Sequence, residues 1–337
     1  MADLRDFNEE LRKKNLGGYW QAFQEVYREP NSYGPQLWKW PDVDDAIRKA
    51  GEVVGLEASS RRVIQLRHPA LNGTTAHTLQ LNIQMLKPGE HALAHRHTLA
   101  GIRFIIRGKG VDCAVEGENF SLAEGDLLTT PSWTWHEHRN RSANSVLWLD
   151  GLDSPLVRTL LPDIGFFEPH KEGTHPLTKP ERKSVHDSGL IRPSWVRHNG
   201  VQPPACCYRW SEVASALKSL GEKPGDSYDG ILLHYVNPLT GGPTLPTLSC
   251  SIQMLRAGEK TRSHRHTSTG VYHVFRGKGA TVVGEDRYEW EAGDSFVLPF
   301  WRFHRHENLS DREAILFMMA DRPVMEQLGF YREEKLE

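Results

Sequence analysis

The sequence predicts a mainly β protein built from two tandem copies of one barrel or sandwich domain, each preceded by a short helix. Three observations carry this. A long block occurs twice: Ile83-Gln84-Met85-Leu86 returns as Ile252-Gln253-Met254-Leu255, and His95-Arg96-His97-Thr98 returns 169 residues later as His264-Arg265-His266-Thr267. Within each copy, short apolar runs alternate with Gly, Pro and Asn, the pattern of brief strands joined by turns. Helical spacing is confined to segments outside those blocks. A period this long marks duplicated domains and not a solenoid.

Along the chain, Leu4, Phe7, Leu11, Leu16, Trp20, Phe23 and Val26 recur at helical spacing, so residues 3–28 read as helix with a break at Gly17-Gly18. A second helix is expected over 41–50, with Pro41 or Asp42 at its start and Gly51 past its end. Residues 1–60 thus form an N-terminal helical region. Residues 61–153 form the first barrel, with runs such as Arg103-Phe104-Ile105-Ile106 and Ser145-Val146-Leu147-Trp148-Leu149 as strands. Gly108-Lys109-Gly110 and its copy Gly277-Lys278-Gly279 lie between strands with no helix after them, so they read as hairpin turns and not as phosphate loops. Residues 154–209, rich in Pro, His, Lys and Glu, are a connecting segment expected to pack on the surface or on a neighbouring subunit. Trp210-Ser211-Glu212-Val213 repeats Trp40-Pro41-Asp42-Val43, so residues 210–337 hold a short helix over 210–220 and the second barrel.

The 337 residues suffice for two cores, and the formal net charge is −2. No basic stripe invites nucleic acid or an anionic membrane, and no apolar run approaches a bilayer span. The polar start Met1-Ala2-Asp3-Leu4-Arg5-Asp6 lacks an apolar signal segment. Four scattered cysteines suggest no disulfide framework, so a reduced cytoplasm is expected. Adjacent Cys206-Cys207 reads either as packing or as a redox pair.

The chemistry centres on histidine. His95 and His97, two apart on a strand, share one face. His136 follows 39 residues after His97, in Thr130-Pro131-Ser132-Trp133-Thr134-Trp135-His136-Glu137-His138. Three neutral imidazoles can hold one first-row metal from one side and leave the other side open, as a catalytic metal requires. Arg103 shares the parity of His95 and His97 and reads as lying on the same strand face. It is either a bidentate clamp for a substrate carboxylate or a partner of Asp126 or Glu137. Tyr272 replaces it in the second half. Arg61 or Arg62 reaches the same anion, or both are solvated. His138 lines the pocket as an acid or base. Asp150 orients a histidine, accepts a substrate proton, or caps a turn. Gln80 and Asn82 face one way, either selecting a polar ring substituent or satisfying backbone groups at a strand end.

Together these residues resemble the gentisate 1,2-dioxygenase family, which includes salicylate and 1-hydroxy-2-naphthoate dioxygenases. The likeness is strongest at His95-Arg96-His97-Thr98 through Arg103-Phe104, at Thr130 to His138, and at Trp148-Leu149-Asp150-Gly151-Leu152-Asp153. It implies a bicupin: two tandem double-stranded β-helix, or jelly-roll, barrels. The general cupin pattern places a glutamate ligand shortly after His-x-His; here that interval is Thr98-Leu99-Ala100-Gly101-Ile102, which fits a three-histidine iron site. The resemblance implies Fe(II) on His95, His97 and His136, and ring opening by O2 between the carboxyl- and hydroxyl-bearing carbons of a 2-hydroxybenzoate, such as gentisate or 5-nitrosalicylate. Arg103, with Arg61, would anchor the carboxylate; Trp135, Gln80 and Asn82 would line the pocket; His138 and Asp150 would manage protons. Family members place an aromatic and a small residue where this chain has Gln80-Leu81-Asn82. The resemblance also suggests a cytoplasmic homotetramer. His264, His266 and His304 form a candidate second metal site outside catalysis. Two other readings stay open: a bicupin decarboxylase or isomerase acting on a carboxylate without O2, and a metal-free small-molecule binding bicupin.

Overall fold

A computed structural model describes residues 3–21, 33–56, 61–162, 166–177 and 205–337. Residues 3–34 belong to a small unit of their own. In it α1 spans Leu4–Lys13, with Asp3 capping the first turn through Arg5 N, and a second helical stretch begins at 19–21. The expected break near Gly17-Gly18 is present; the helical expectation for 22–28 lies outside the described residues.

The remainder is two barrels of one topology. β1 (Gln36–Trp38) and α2 (Trp40–Val53) lead into β2 (Arg62–Gln65), β3 (Gln80–Leu86), β4 (His91–His97), β5 (Gly101–Arg107), β6 (Lys109–Val115), β7 (Glu118–Ala123), β8 (Leu127–Thr130), β9 (His136–Asn140) and β10 (Val146–Leu152). After α3 (Ser154–Leu160) come β11 (Phe167–Pro169), β12 (Cys207–Tyr208) and α4 (Trp210–Leu220). The second barrel has β13 (Ile231–Tyr235), β14 (Ser249–Leu255), β15 (His264–His266), β16 (Gly270–Arg276), β17 (Lys278–Val283), β18 (Asp286–Glu291), β19 (Ser295–Leu298), β20 (His304–Asn308) and β21 (Ala314–Ala320). α5 (Arg322–Gln327) and β22 (Glu333–Lys335) end the chain.

The first barrel pairs a sheet of order β12-β8-β5-β10-β3-β2 with one of order β11-β4-β9-β6-β7. The second pairs β1-β19-β16-β21-β14-β13 with β18-β17-β20-β15-β22. All these pairings are antiparallel, as in a jelly roll. The second helix is longer than 41–50: it begins at Trp40 and takes in Gly51, whose bare Cα faces the Met85 sulfur. Val43, Ile47 and Gly51, four apart, form its buried stripe.

The barrels exchange their leading segments. β1 joins the second barrel's sheet through β19, while β12 joins the first barrel's sheet through β8. The first turn of α2 is capped by Asp294, which accepts from Trp40 N (2.7 Å) and pairs with Lys39 (2.6 Å). Asp126 does the same for α4, accepting from Trp210 N (2.8 Å) and pairing with Arg209 (2.9 Å). The glycine before each aspartate has positive φ, and a Cβ there would meet the tryptophan ring: Gly125 against Trp210 and Gly293 against Trp40. Between the barrels, Phe104 stacks on Phe317 (4.3 Å) and meets Phe275 edge-on (5.1 Å). Two reciprocal latches flank this core: Thr78 donates to Asp321 (2.5 Å) and Thr247 to Asp153 (2.6 Å). No described helix is long and apolar enough to cross a membrane.

Candidate active site

His95 and His97 on β4 project inward, and β9 starts at His136, directly opposite His95. The turn feeding His136 holds Trp133 at φ 61°, a conformation L-residues avoid; its N–H is tied to His97 O (2.7 Å). The three rings converge, with centroids 4.1 Å (His95–His136), 4.8 Å (His97–His136) and 5.3 Å (His95–His97) apart. Each Nδ1 lies against a backbone carbonyl two residues away: Leu93 O for His95 (3.0 Å), Leu99 O for His97 (2.8 Å) and Thr134 O for His136 (2.9 Å). These bonds fix the proton on Nδ1 and free Nε2 as the lone pair.

Burial keeps the imidazoles neutral. Desolvation takes His95 down to about 2, with the Arg61 charge adding to it, and His97 to about 4; His136 is held well below its ordinary value. His136 Nε2 is buried without a hydrogen-bond partner. A buried orphan acceptor is costly unless something meets it, and three neutral nitrogens within 4.8 Å of one another suit a divalent ion. The residues therefore fit a metal. Arg61 Nη2 rests on the His95 ring, 2.6 Å from Nδ1 and in contact with Nε2, so it must swing aside for His95 to serve as a ligand.

Arg103 is not on the strand of His95 and His97, because the chain turns between Thr98 and Ala100. It sits on β5 of the facing sheet and reaches the same interior. Its partner is neither Asp126, which caps α4, nor Glu137, which faces His91 (3.2 Å). Register places Asn82, Asp150 and Arg103 side by side across β3, β10 and β5. Arg103 donates to Thr130 Oγ1 and lies 3.8 Å from Asp150, whose Oδ1 is buried without a hydrogen bond. Asp150 thus sits within a strand and caps no turn. His138 is fully buried behind His136, with Nδ1 3.0 Å from Cys113 Sγ, its ring 5.5 Å from Trp148, and Nε2 unpartnered. Burial pushes the Cys113 thiol up to about 12.

Of the two arginines at the start of β2, Arg61 reaches the site. Arg62 is committed to Glu90 (2.5 Å) and Val54 O (2.6 Å). Gln80 and Asn82 share the inner face, but Gln80 Nε2 is spent on Thr75 Oγ1 (3.1 Å) and on Asn82 Oδ1 (2.9 Å). Trp135 departs from expectation. Strand alternation turns it to the outer face, where the Arg96 guanidinium lies 4.7 Å over its ring and His170 and His175 pack against it.

Phe167 escaped the sequence reading. β11 pairs with β4 so that Phe167 stands opposite His97, and its ring stacks on His95 at 5.2 Å. The sequence signal is Gly165-Phe166-Phe167, which returns as Gly329-Phe330-Tyr331 near the end of the second half. Cys206 is buried and Cys207 sits on β12, so both serve packing at a sheet edge; the stretches 163–165 and 178–204 of the expected connecting segment lie outside the described residues.

The cupin domain model matches residues 82–151 and 251–320, one match in each barrel. The chain is 41% identical to the 5-aminosalicylate 1,2-dioxygenase of Comamonas sp over 99% of this chain and 90% of that protein. The chain belongs to the gentisate 1,2-dioxygenase family of bicupin, aromatic ring-cleaving dioxygenases. It is also similar to gentisate 1,2 dioxygenase 1 of Aquipseudomonas alcaligenes, 33% identical over 99% of this chain and 96% of that one. The salicylate 1,2-dioxygenase of Pseudoaminobacter salicylatoxidans, solved with gentisate, superposes with a TM-score of 0.89 at 30% identity, over 99% of this chain and 94% of that one. Ring-cleaving names on relatives spanning the whole chain weigh against the O2-independent and metal-free readings.

Proposed function

We propose that this protein uses Fe(II) on His95, His97 and His136 to open a 2-hydroxybenzoate between its carboxyl- and hydroxyl-bearing carbons, with a polar group para to the hydroxyl. Gentisate, 5-aminosalicylate and 5-nitrosalicylate are of this class, and the first two are the named substrates of full-length relatives. The observation that carries the reading is the approach of two guanidiniums, Arg61 and Arg103, to an otherwise neutral triad. Such a site is built for an anion that also meets a cation. Bound Fe(II) would supply a Lewis acid for the carboxylate and hydroxyl, and a place for O2.

The chain's own residues do the rest. Arg103, backed by Asp150, anchors the carboxylate from the floor of the barrel, and Arg61 does so from the side of His95. Asp150 Oδ1 and His138 Nε2, both buried and without a hydrogen bond, are the groups able to take and return the hydroxyl proton. Asn82, beside Asp150, faces the ring. Phe167 stacks on His95 and supports that ring from the strap side. The reading carries with it a cytoplasmic location and a homotetramer; light scattering checks the second.

Oxygen uptake by Fe(II)-loaded protein tests this, with gentisate, 5-aminosalicylate, 5-nitrosalicylate, salicylate and 1-hydroxy-2-naphthoate offered in parallel. Uptake with a ring-opened chromophore, fastest with a polar 5-substituent, is expected. Stoichiometric iron without uptake on any of them would overturn it.

A further inference from the structure

The second barrel keeps the imidazole triad but reverses the charge around it. By register, Tyr272 stands where the first barrel has Arg103, and Met318 where it has Asp150. The strap β22 pairs with β15 as β11 pairs with β4, so Glu333 faces His266 where Phe167 faces His97. Asp229, just ahead of β13, closes the other side. His264 lies between the two acids: Nδ1 is 3.6 Å from Glu333 Oε1, and Nε2 is 3.8 Å from Asp229 Oδ1. Neither nitrogen of His264 has a hydrogen bond, nor has Nε2 of His304, a residue only 3% exposed. His266 and His304 are oriented as metal ligands are, with Nδ1 against Ser268 O (2.8 Å) and Arg302 O (2.9 Å). Glu333 also meets Tyr331 OH (3.3 Å) and Lys335 Nζ (3.4 Å), and Lys335 is half-exposed. A cavity of about 450 Å³ fronts these groups.

The two acids stand on opposite sides of the His264 ring: Asp229 lies on the Nε2 side, while Glu333 faces Nδ1 and can hold its proton, fixing the ring. Three neutral imidazoles and one carboxylate make a four-donor set for a divalent cation, with a second carboxylate behind it to balance the charge. We propose that His264, His266, His304 and Asp229 form a second divalent-metal site of mixed nitrogen and oxygen donors, and that Glu333, holding His264 in its ligating orientation from the other side of the ring, couples the C-terminal strap to it. Oxygen donors suit Mn(II), a harder ion than the first triad alone selects. The site serves to hold structure and takes no part in ring cleavage, so it stands or falls apart from the proposed activity.

The test uses full-length protein stripped with chelator and titrated with Mn(II), read by elemental analysis and electron paramagnetic resonance. The His136→Ala variant, disabled at the first triad, is expected to keep about one equivalent, and wild type to take up two. Glu333→Gln, on a surface strap where folding is not at risk, and Asp229→Asn should each weaken the retained equivalent by roughly 10–100-fold. Mn(II) should also slow tryptic cleavage after Arg332 and Lys335 in wild type but not in Glu333→Gln. No Mn(II) retained in His136→Ala with only one equivalent in wild type, or unchanged affinity in both carboxylate variants, overturns the proposal.

Discussion

Arg103 is the residue on which the substrate reading turns, and replacing it with methionine keeps its bulk while removing the charge. A carboxylate held by the guanidinium gains charge-assisted hydrogen bonds worth about 1.5–3 kcal/mol each. Allowing for exchange with water, about 2–3 kcal/mol of substrate binding should go, which is roughly a 30- to 150-fold rise in KM. The structure adds a second consequence. Asp150 lies 3.8 Å from Arg103 and is buried, so the variant strands a carboxylate, at a cost of about 3–5 kcal/mol in stability. The two effects separate in the double variant Arg103→Met/Asp150→Asn. Its urea midpoint should recover most of the loss, while its KM stays high. The assay is oxygen uptake against substrate concentration, alongside urea unfolding of each protein. A KM within twofold of wild type in Arg103→Met, or one restored by Asp150→Asn, would refute the clamp and leave Arg103 a structural partner of Asp150.

His136→Ala should abolish iron binding at the first triad, measured as iron per chain after reconstitution, because its Nε2 has no other partner. Phe104→Ala removes a fully buried ring stacked on Phe317 between the barrels; a loss of about 3–5 kcal/mol is expected in the urea midpoint. Burial raises Asp153 and Asp321 to about 6 each. The fold therefore favours their protonated forms, and that stability is complete below the unfolded value near 3.8 and lost as pH rises through 6. Relative to wild type, Asp153→Asn should gain about 1–1.5 kcal/mol between pH 5 and pH 8 in unfolding experiments; a pH-independent difference would contradict the assignment.

Much of this was legible in the sequence because it rests on local rules. The duplication survives as near-identical words, the triad follows from strand alternation, and the glycines mark turns. What stayed hidden depends on contacts between distant segments. Parity could not tell Arg61 from Arg62, since only the position of Glu90 claims the second. Arg103 was legible as inward but not as belonging to the opposite sheet, where parity counted from His97 loses meaning. Trp135 was misread because it precedes β9 and turns outward onto Arg96. Phe167 and Glu333 sit on short straps whose pairing with β4 and β15 is tertiary; the repeat of Gly165-Phe166-Phe167 as Gly329-Phe330-Tyr331 marks the straps but not the strands they pair with.

The exchanged leading segments also set a timetable for the growing chain. The first barrel's strands are all synthesised by residue 152, yet its edge strand β12 and the partner of Asp126 arrive only with residues 207–210. At about 5–20 residues per second the ribosome needs roughly 3–12 s to deliver them. The first turn of α2 waits longer still, about 13–50 s, for Asp294 to emerge. The barrel that is made first is thus finished only after the whole connection to the second has been made. During that interval the open edge of β8 is exposed to any neighbouring strand, a hazard that a nascent-chain chaperone would be suited to cover.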